Sequence, residues 1–188
     1  MKNIGILALQ GSVVEHRRSL ERLGNVTVTE VKTLAALDAI DAMILPGGES
    51  TTIGKLLREF GLMEPLQERI KGGMPVWGTC AGLILLAKHI VNEDTTHLNV
   101  MDIAVRRNAY GTQLDSFTAS AVIPPVAQTE IPLVFIRAPW IESVGAGVDV
   151  LFRHQGKIVM AREKNMLATS FHPELTSDLS IHRYFTEM

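Results

Sequence analysis

Through the first half of the chain, short apolar runs alternate with longer segments of helical period. Residues 4–9 form an unbroken apolar stretch that predicts a buried strand. Residues 13–23 set apolar side chains at helical spacing among Glu15, Arg17, Arg18, Glu21 and Arg22, and Gly24 is the stop. Residues 26–31 alternate as a second strand, residues 34–40 cross over, and residues 42–45 make a third strand ending at Pro46-Gly47-Gly48. A helix begins near Ser50 with its period running over residues 51–60, and Gly61 breaks it. A second helix carries the chain to about residue 70, and Gly72-Gly73 precede a strand leading to Cys80. This order predicts βαβ units, and hence an α/β fold with a doubly wound, mostly parallel sheet of the flavodoxin-like kind and helices on both faces.

Beyond His89 the pattern shifts to strand-like runs at residues 99–105, 116–123, 133–137, 148–153, 157–162 and 166–170. These predict antiparallel strands added to the parallel core, with Gln155-Gly156 as a hairpin turn and Pro124-Pro125 as a surface loop. Residues 1–188 contain no linker, repeat or low-complexity tract and are expected to form a single domain.

Composition narrows the function. With 188 residues, 46% of them hydrophobic, the chain has enough apolar material for a substantial core. A formal charge of −2 and the lack of any basic run argue against nucleic acid as a partner. No apolar stretch approaches the roughly 20 residues of a membrane span, so no membrane partner is expected. One cysteine cannot form an internal disulfide, and a reactive thiol persists best in a reducing compartment, which gives a cytoplasmic reading.

That cysteine, Cys80, occupies the centre of Gly78-Thr79-Cys80-Ala81-Gly82 at a strand-to-helix junction. A nucleophile in such an elbow is held in a strained turn with small neighbours, and the following helix aims backbone N–H groups at it. Alone, a single cysteine is more often a buried structural thiol. A cysteine nucleophile needs a base and a group to orient that base. His172 and Glu174, in Phe171-His172-Pro173-Glu174-Leu175, are the candidates. In extended chain they project to the same side, and Pro173 stiffens the pair. The turn Pro46-Gly47-Gly48-Glu49-Ser50 is suited to supply an oxyanion donor from Gly48 N–H, with Ala81 N–H as the second; a plain helix cap by Glu49 or Ser50 is the competing reading. With no second cysteine, no His-Glu-x-x-His and no neighbouring histidines, no metal or cofactor is expected; His16, His89, His97, His154 and His182 read as packing or surface residues.

A glycine turn, a cysteine elbow and a late His-Pro-Glu, in that order, resemble the class I, triad-type glutamine amidotransferases. The blocks Leu7-Ala8-Leu9-Gln10-Gly11-Ser12-Val13 with Glu15-His16, residues 45–53 (LPGGESTTI), residues 78–86 (GTCAGLILL), Arg107-Asn108-Ala109-Tyr110-Gly111 and residues 171–176 (FHPELT) narrow the resemblance to the glutaminase subunits of pyridoxal 5′-phosphate synthase. The resemblance implies hydrolysis of L-glutamine to glutamate, with ammonia passed to a separate synthase subunit in a hetero-oligomeric complex. It implies catalysis by Cys80, His172 and Glu174, and glutamine contacts from Gly47, Gly48, Glu49, Arg107, Ile136 and Arg137. Only the alignment of blocks picks Arg107 over its equally cationic neighbour Arg106. Tyr110 and Thr112 depart from the phenylalanine and arginine expected there. Other readings are a different cysteine hydrolase on the same scaffold, or a binding subunit without activity. Glutaminase subunits of this kind are commonly switched on by their synthase partner, so weak activity in isolation is expected; Gln10-Gly11, at the end of the first strand, lies where the parallel strand ends converge on the elbow, and the hypothesis is that partner docking reorders it and completes the oxyanion hole.

Overall fold

The computed structural model describes residues 1–108 and 116–188. The parallel half runs β1 (Lys2–Leu7), α1 (Val13–Leu23), β2 (Val26–Val31), α2 (Leu34–Asp38), β3 (Ala42–Leu45), α3 (Ser50–Glu59), α4 (Met63–Lys71), β4 (Val76–Thr79) and α5 (Ala81–Leu86). There follow β5 (Ala87–Ile90), β6 (Met101–Arg106), β7 (Ser116–Ile123), β8 (Ala127–Ile136), β9 (Trp140–Val144), β10 (Asp149–His154), β11 (Lys157–Glu163) and β12 (Met166–Thr169). A single 3₁₀ turn (Pro173–Leu175) and α6 (Ser180–Thr186) end the chain.

Among the described residues, ten strands make one sheet in the order β2-β1-β3-β4-β12-β11-β9-β6-β5, with β10 on β11. The first five are parallel, and β12 takes the fifth place although it comes last in the chain. Around β9 and β11 the pairing is antiparallel. The doubly wound core with added antiparallel strands is therefore the architecture the sequence pattern predicts. One feature differs: β7 and β8 leave the main sheet and form a two-stranded sheet of their own.

Period-2 alternation explains why both faces carry helices. Ile4, Ile6, Ala42, Ile44, Trp77 and Leu167 join Leu20 of α1, Ile181 and Phe185 of α6, and Leu133 and Phe135 of β8 in one buried cluster. Leu7, Met43, Leu45, Val76, Met166 and Ala168 point the other way, onto Ile53, Leu57, Leu66 and the apolar face of α5. A sheet covered on both sides needs such doubly buried strands.

Several boundaries moved. β1 ends at Leu7 rather than Leu9, because Ala8 N–H makes a last bond to Val31 O and Ser12 N–H then ties the chain to Gly47 O at 3.0 Å. β8 starts six residues before the apolar run at Leu133, since Gln128 and Thr129 form an exposed bulge and Glu130 is an exposed position paired with Val122, none with an apolar signal. β5, β9 and α6 lay outside the pattern: β5 follows α5 without a break, β9 is half polar, and α6 is two turns long. Gln155 and Gly156 have φ of 48° and 79°, the positive values of a tight hairpin turn between β10 and β11. No described helix is long and apolar enough to cross a membrane.

Candidate active site

Parallel register sets the site. Thr79 of β4 pairs with Thr169 of β12, and Cys80 N–H continues the ladder to Thr169 O at 2.8 Å. Trp77 Nε1 donates to Thr169 Oγ1 at 3.0 Å and fastens the two strand ends together. Cys80 then turns with φ 49° and ψ −101°, a conformation that disfavours any Cβ, before α5 begins. The turn is made feasible by close approach behind it: a Cβ on Gly78 would overlap the Gly82 backbone, and one on Gly82 would overlap Leu45 O. The cysteine elbow is thus present as predicted. α5, however, is only six residues long, so its dipole is a smaller aid to the thiol than the sequence suggested.

His172 arrives beside Cys80 from the far side of the same strand pair. Its N–H donates to Val134 O of β8 at 2.8 Å, and Pro173 starts the 3₁₀ turn. Glu174 lies inside that turn rather than in extended chain, so the pairing comes from the turn and not from i, i+2 alternation. His172 Nδ1 and Glu174 Oε1 are 2.7 Å apart. Ser12 Oγ donates to the same oxygen at 2.8 Å. Burial alone would lower the His172 pKa; hydrogen bonds and charge from Cys80 and Glu174 outweigh it and push it up to about 10. Burial works to raise the Glu174 pKa, and His16, His172 and Ser12 together hold it at about 2. The imidazole therefore carries its proton at neutral pH, between the Cys80 sulfur and a buried carboxylate. Cys80 Sγ also lies 3.9 Å from Ile136 O.

The cavity in front of Cys80 has a volume of about 530 Å³, of a size that holds small molecules. Gly47, Gly48, Glu49, Ala81, Arg107, Ile136, Arg137 and His172 all line it. Gly47 packs against the His172 ring so closely that a Cβ would overlap Cε1. Glu49 turns out to be the N-cap of α3, accepting from Thr51 N–H at 3.1 Å and Thr52 N–H at 2.8 Å. Burial opposes its charge, but the Thr52 and Thr51 hydrogen bonds together outweigh it and lower its pKa to about 2. Gln10 reaches over the same turn, its Oε1 accepting from Glu49 N–H at 2.9 Å.

Geometry separates the two arginines. Arg107 faces the cavity, bonding Glu49 at 3.3 Å and Glu93 at 3.1 Å. Arg106 points away to Glu142, at 3.1 Å. Arg137 has φ 41°, which turns the chain just past β8 at the cavity rim. Tyr110 and Thr112 lie outside the described residues.

Sequence reasoning missed the groups behind Glu174. The sequence pattern does not single out Ser12, and it gives His16 and His182 as packing or surface residues, of which packing is the outcome. Both histidines are buried, and they lie 3.0 Å apart in space although 166 positions apart in sequence. Ser12 and His16 are one helical turn apart, which was the available signal. His97 is in a loop against Gly54 rather than in a regular element. Among the described residues no His, Cys, Asp and Glu group is arranged to hold a metal ion.

A solved structure described as a crystal structure of glutamine amidotransferase matches this fold with a TM-score of 0.92 and 45% identity, covering 98% of this chain and 97% of that one. Sheet order, cysteine elbow and cavity together define an α/β protein of the class I glutamine amidotransferase fold. The chain belongs to the SNO glutamine amidotransferase family, whose model matches residues 6–188. A relative from Ruminiclostridium cellulolyticum, named pyridoxal 5′-phosphate synthase subunit PdxT, is 56% identical over 188 residues and covers 100% of both chains. Another of the same name from Thermoanaerobacter pseudethanolicus is 54% identical over 185 residues, with 98% of each chain covered.

Proposed function

We propose that this chain hydrolyses L-glutamine to L-glutamate and ammonia through a γ-glutamyl thioester on Cys80. The observation that carries this reading is the His172 Nδ1 to Glu174 Oε1 contact of 2.7 Å, with Cys80 on the other side of the imidazole and the cavity in front. Cys80 attacks the side-chain amide carbon as the thiolate, its proton already held on His172. His172, already protonated, gives its proton to the departing nitrogen, and ammonia leaves. The neutral imidazole then takes a proton from water, which attacks the thioester; glutamate departs and the sulfur and imidazolium are restored. Glu174 fixes the ring and balances its charge throughout. Gly48 N–H and Ala81 N–H stabilise the oxyanion in both steps.

Arg107 takes the glutamine α-carboxylate, and Glu49 with the backbone of residues 136–137 receives the ammonium end. Both charged side chains line the cavity and are already paired with each other, so substrate enters a balanced set of charges.

The relatives' name, a subunit of pyridoxal 5′-phosphate synthase, supports assembly of this chain with a synthase subunit; transfer of the ammonia to that subunit, in the cytoplasm, completes the proposal. In the free chain, Gln10 and Ser12 hold the glycine turn through Glu49 N–H and Gly47 O. Docking of the synthase subunit on residues 10–12 reorders that contact and completes the oxyanion hole. Glutamate release measured with and without the synthase subunit tests this. A large gain on adding the subunit is expected; full activity in its absence contradicts the gating.

A further inference from the structure

Behind the Glu174 carboxylate lies a group of buried polar side chains that the proposed reaction does not use. His16 of α1, Thr79 of β4 and His182 of α6 are each 0% exposed. His16 Nδ1 is 3.0 Å from His182 Nε2, while His16 Nε2 is 3.3 Å from Thr79 Oγ1 and 3.6 Å from Glu174 Oε2. Trp77 closes the group edge-on, with its ring centroid 5.3 Å from that of His16 and 4.9 Å from that of His182. Glu174 Oε1 already has two partners, His172 and Ser12. Glu174 Oε2 is buried with no hydrogen bond, and His16 Nε2 is the cationic or donor group facing it. A buried carboxylate oxygen without a donor is costly, so the proton on His16 matters.

Counting donors fixes where that proton sits. A neutral imidazole has one N–H and one lone pair. With the proton on His16 Nδ1, the Nε2 lone pair would face the carboxylate. His182 would then accept at Nε2 and hold its own N–H at Nδ1, which is buried without a partner. With both rings protonated on Nε2, His182 donates to His16 Nδ1, His16 aims its N–H at Glu174 Oε2 and Thr79 Oγ1, and the unpartnered His182 Nδ1 is a bare acceptor, which is less costly to bury than an orphaned N–H. Thr79 is left free to donate to Leu45 O, 3.5 Å away. Burial keeps both rings neutral: it lowers the His16 pKa against the pull of Glu174 and Glu15, with His172 adding to the lowering, and takes His182 down to about 3.

We propose that His16, oriented by His182, is a positioning residue that holds its Nε2–H on Glu174 Oε2 and so fixes the carboxylate that orients His172. The inference rests on the reading of Cys80 and His172 as the reacting pair. Ser12 and His16 then restrain the two carboxylate oxygens separately, and the imidazolium beside Cys80 keeps one orientation.

Because the chain has a single cysteine, the pH dependence of alkylation by iodoacetamide reports on Cys80 alone. In His16→Leu the alkylation midpoint is expected to move up by about one pH unit, a loss of about tenfold in rate on the acid side of the midpoint. His16→Gln, which can again present an N–H, is expected to recover most of that loss. In the complex with the synthase subunit, kcat for glutamine falls in His16→Leu with KM unchanged. ¹⁵N-histidine spectra of the wild-type protein, which need no variant, are expected to show His16 and His182 as neutral Nε2–H tautomers. An Nδ1–H tautomer at His16, or an unchanged alkylation profile in folded His16→Leu, overturns the positioning role. A wild-type profile like that of an ordinary free thiol would instead overturn the reading of Cys80 and His172 as the reacting pair, and the positioning role with it.

Discussion

Thr79 and Thr169 stand opposite one another at the ends of two parallel strands, and this one register pair brings Cys80 and His172 together. Cys80 is the next residue after Thr79, and its N–H bonds Thr169 O. His172 is three residues beyond Thr169, far enough to turn back over the elbow. A slip of the pairing by one residue would send Cys80 to the other face of the sheet.

The strain at Cys80 gives the first prediction. At φ 49° and ψ −101° glycine is favoured over any residue with a Cβ. Both Cys80→Ala and Cys80→Gly should lack glutaminase activity, yet Cys80→Gly should be the more stable by about 1 kcal/mol, since the positive φ adds to the ordinary preference for glycine over alanine at an N-cap. Denaturant unfolding of the two variants checks this. Equal stabilities would show that the elbow stores no strain.

Gly47→Ala should act on the base by displacing its ring. The added Cβ meets His172 Cε1, so the ring must shift off Cys80 or off Glu174. A loss of about 100-fold or more in kcat is expected from a misplacement of this kind, with near-normal unfolding. Steady-state kinetics of the assembled complex, beside a melting curve, separate the two effects.

The pH dependence of stability follows from three buried groups. His172 rises from 6.5 to about 10 on folding, so its stabilisation is complete below pH 6.5 and is lost as pH climbs through about 10. His182 falls to about 3, so stability is lost as pH drops below 6.5 and the unfolded chain takes up a proton that the folded chain refuses. Glu174, held at about 2, adds to the acid-side loss below its ordinary 4.5. Melting temperature should therefore peak near pH 6.5, and His172→Gln should flatten the alkaline limb while also shrinking the acid-side share of Glu174, which His172 helps to hold down. An alkaline limb that survives in His172→Gln would contradict the assignment.

Arg107 and Arg106 should behave differently despite adjacency. Arg107→Gln should raise KM for glutamine by about 10- to 100-fold, the range for loss of a charged hydrogen-bonded contact. Arg106→Gln should leave KM unchanged, since its partner is the exposed Glu142 outside the cavity. Initial-rate measurements over a range of glutamine concentrations decide the point.

Much of this was legible in the pattern of residues. The helix over Val13–Leu23 and the strands Val26–Val31 and Ala42–Leu45 match the expected bounds, because strong periodicity and glycine stops fix such elements locally. Cys80 stood out because its glycines are a local requirement of the elbow. Illegible were contacts made by folding alone. Nothing near Arg106 in the sequence says which arginine turns inward; the alternation along β6 and the turn after it decide that. His16 and His182 meet only when α1 and α6 pack on the same face of the sheet. Glu174 was found for an incomplete reason, since Pro173 starts a 3₁₀ turn instead of extending the strand.

The central claim is that Cys80 becomes acylated by glutamine. Rapid quenching of the complex with glutamine in acid, followed by peptide mass mapping, tests it most directly. The account predicts a γ-glutamyl thioester on the Cys80 peptide, labile to hydroxylamine and absent from Cys80→Ala, which should also release no glutamate. Glutamate release by Cys80→Ala at the wild-type rate would contradict it.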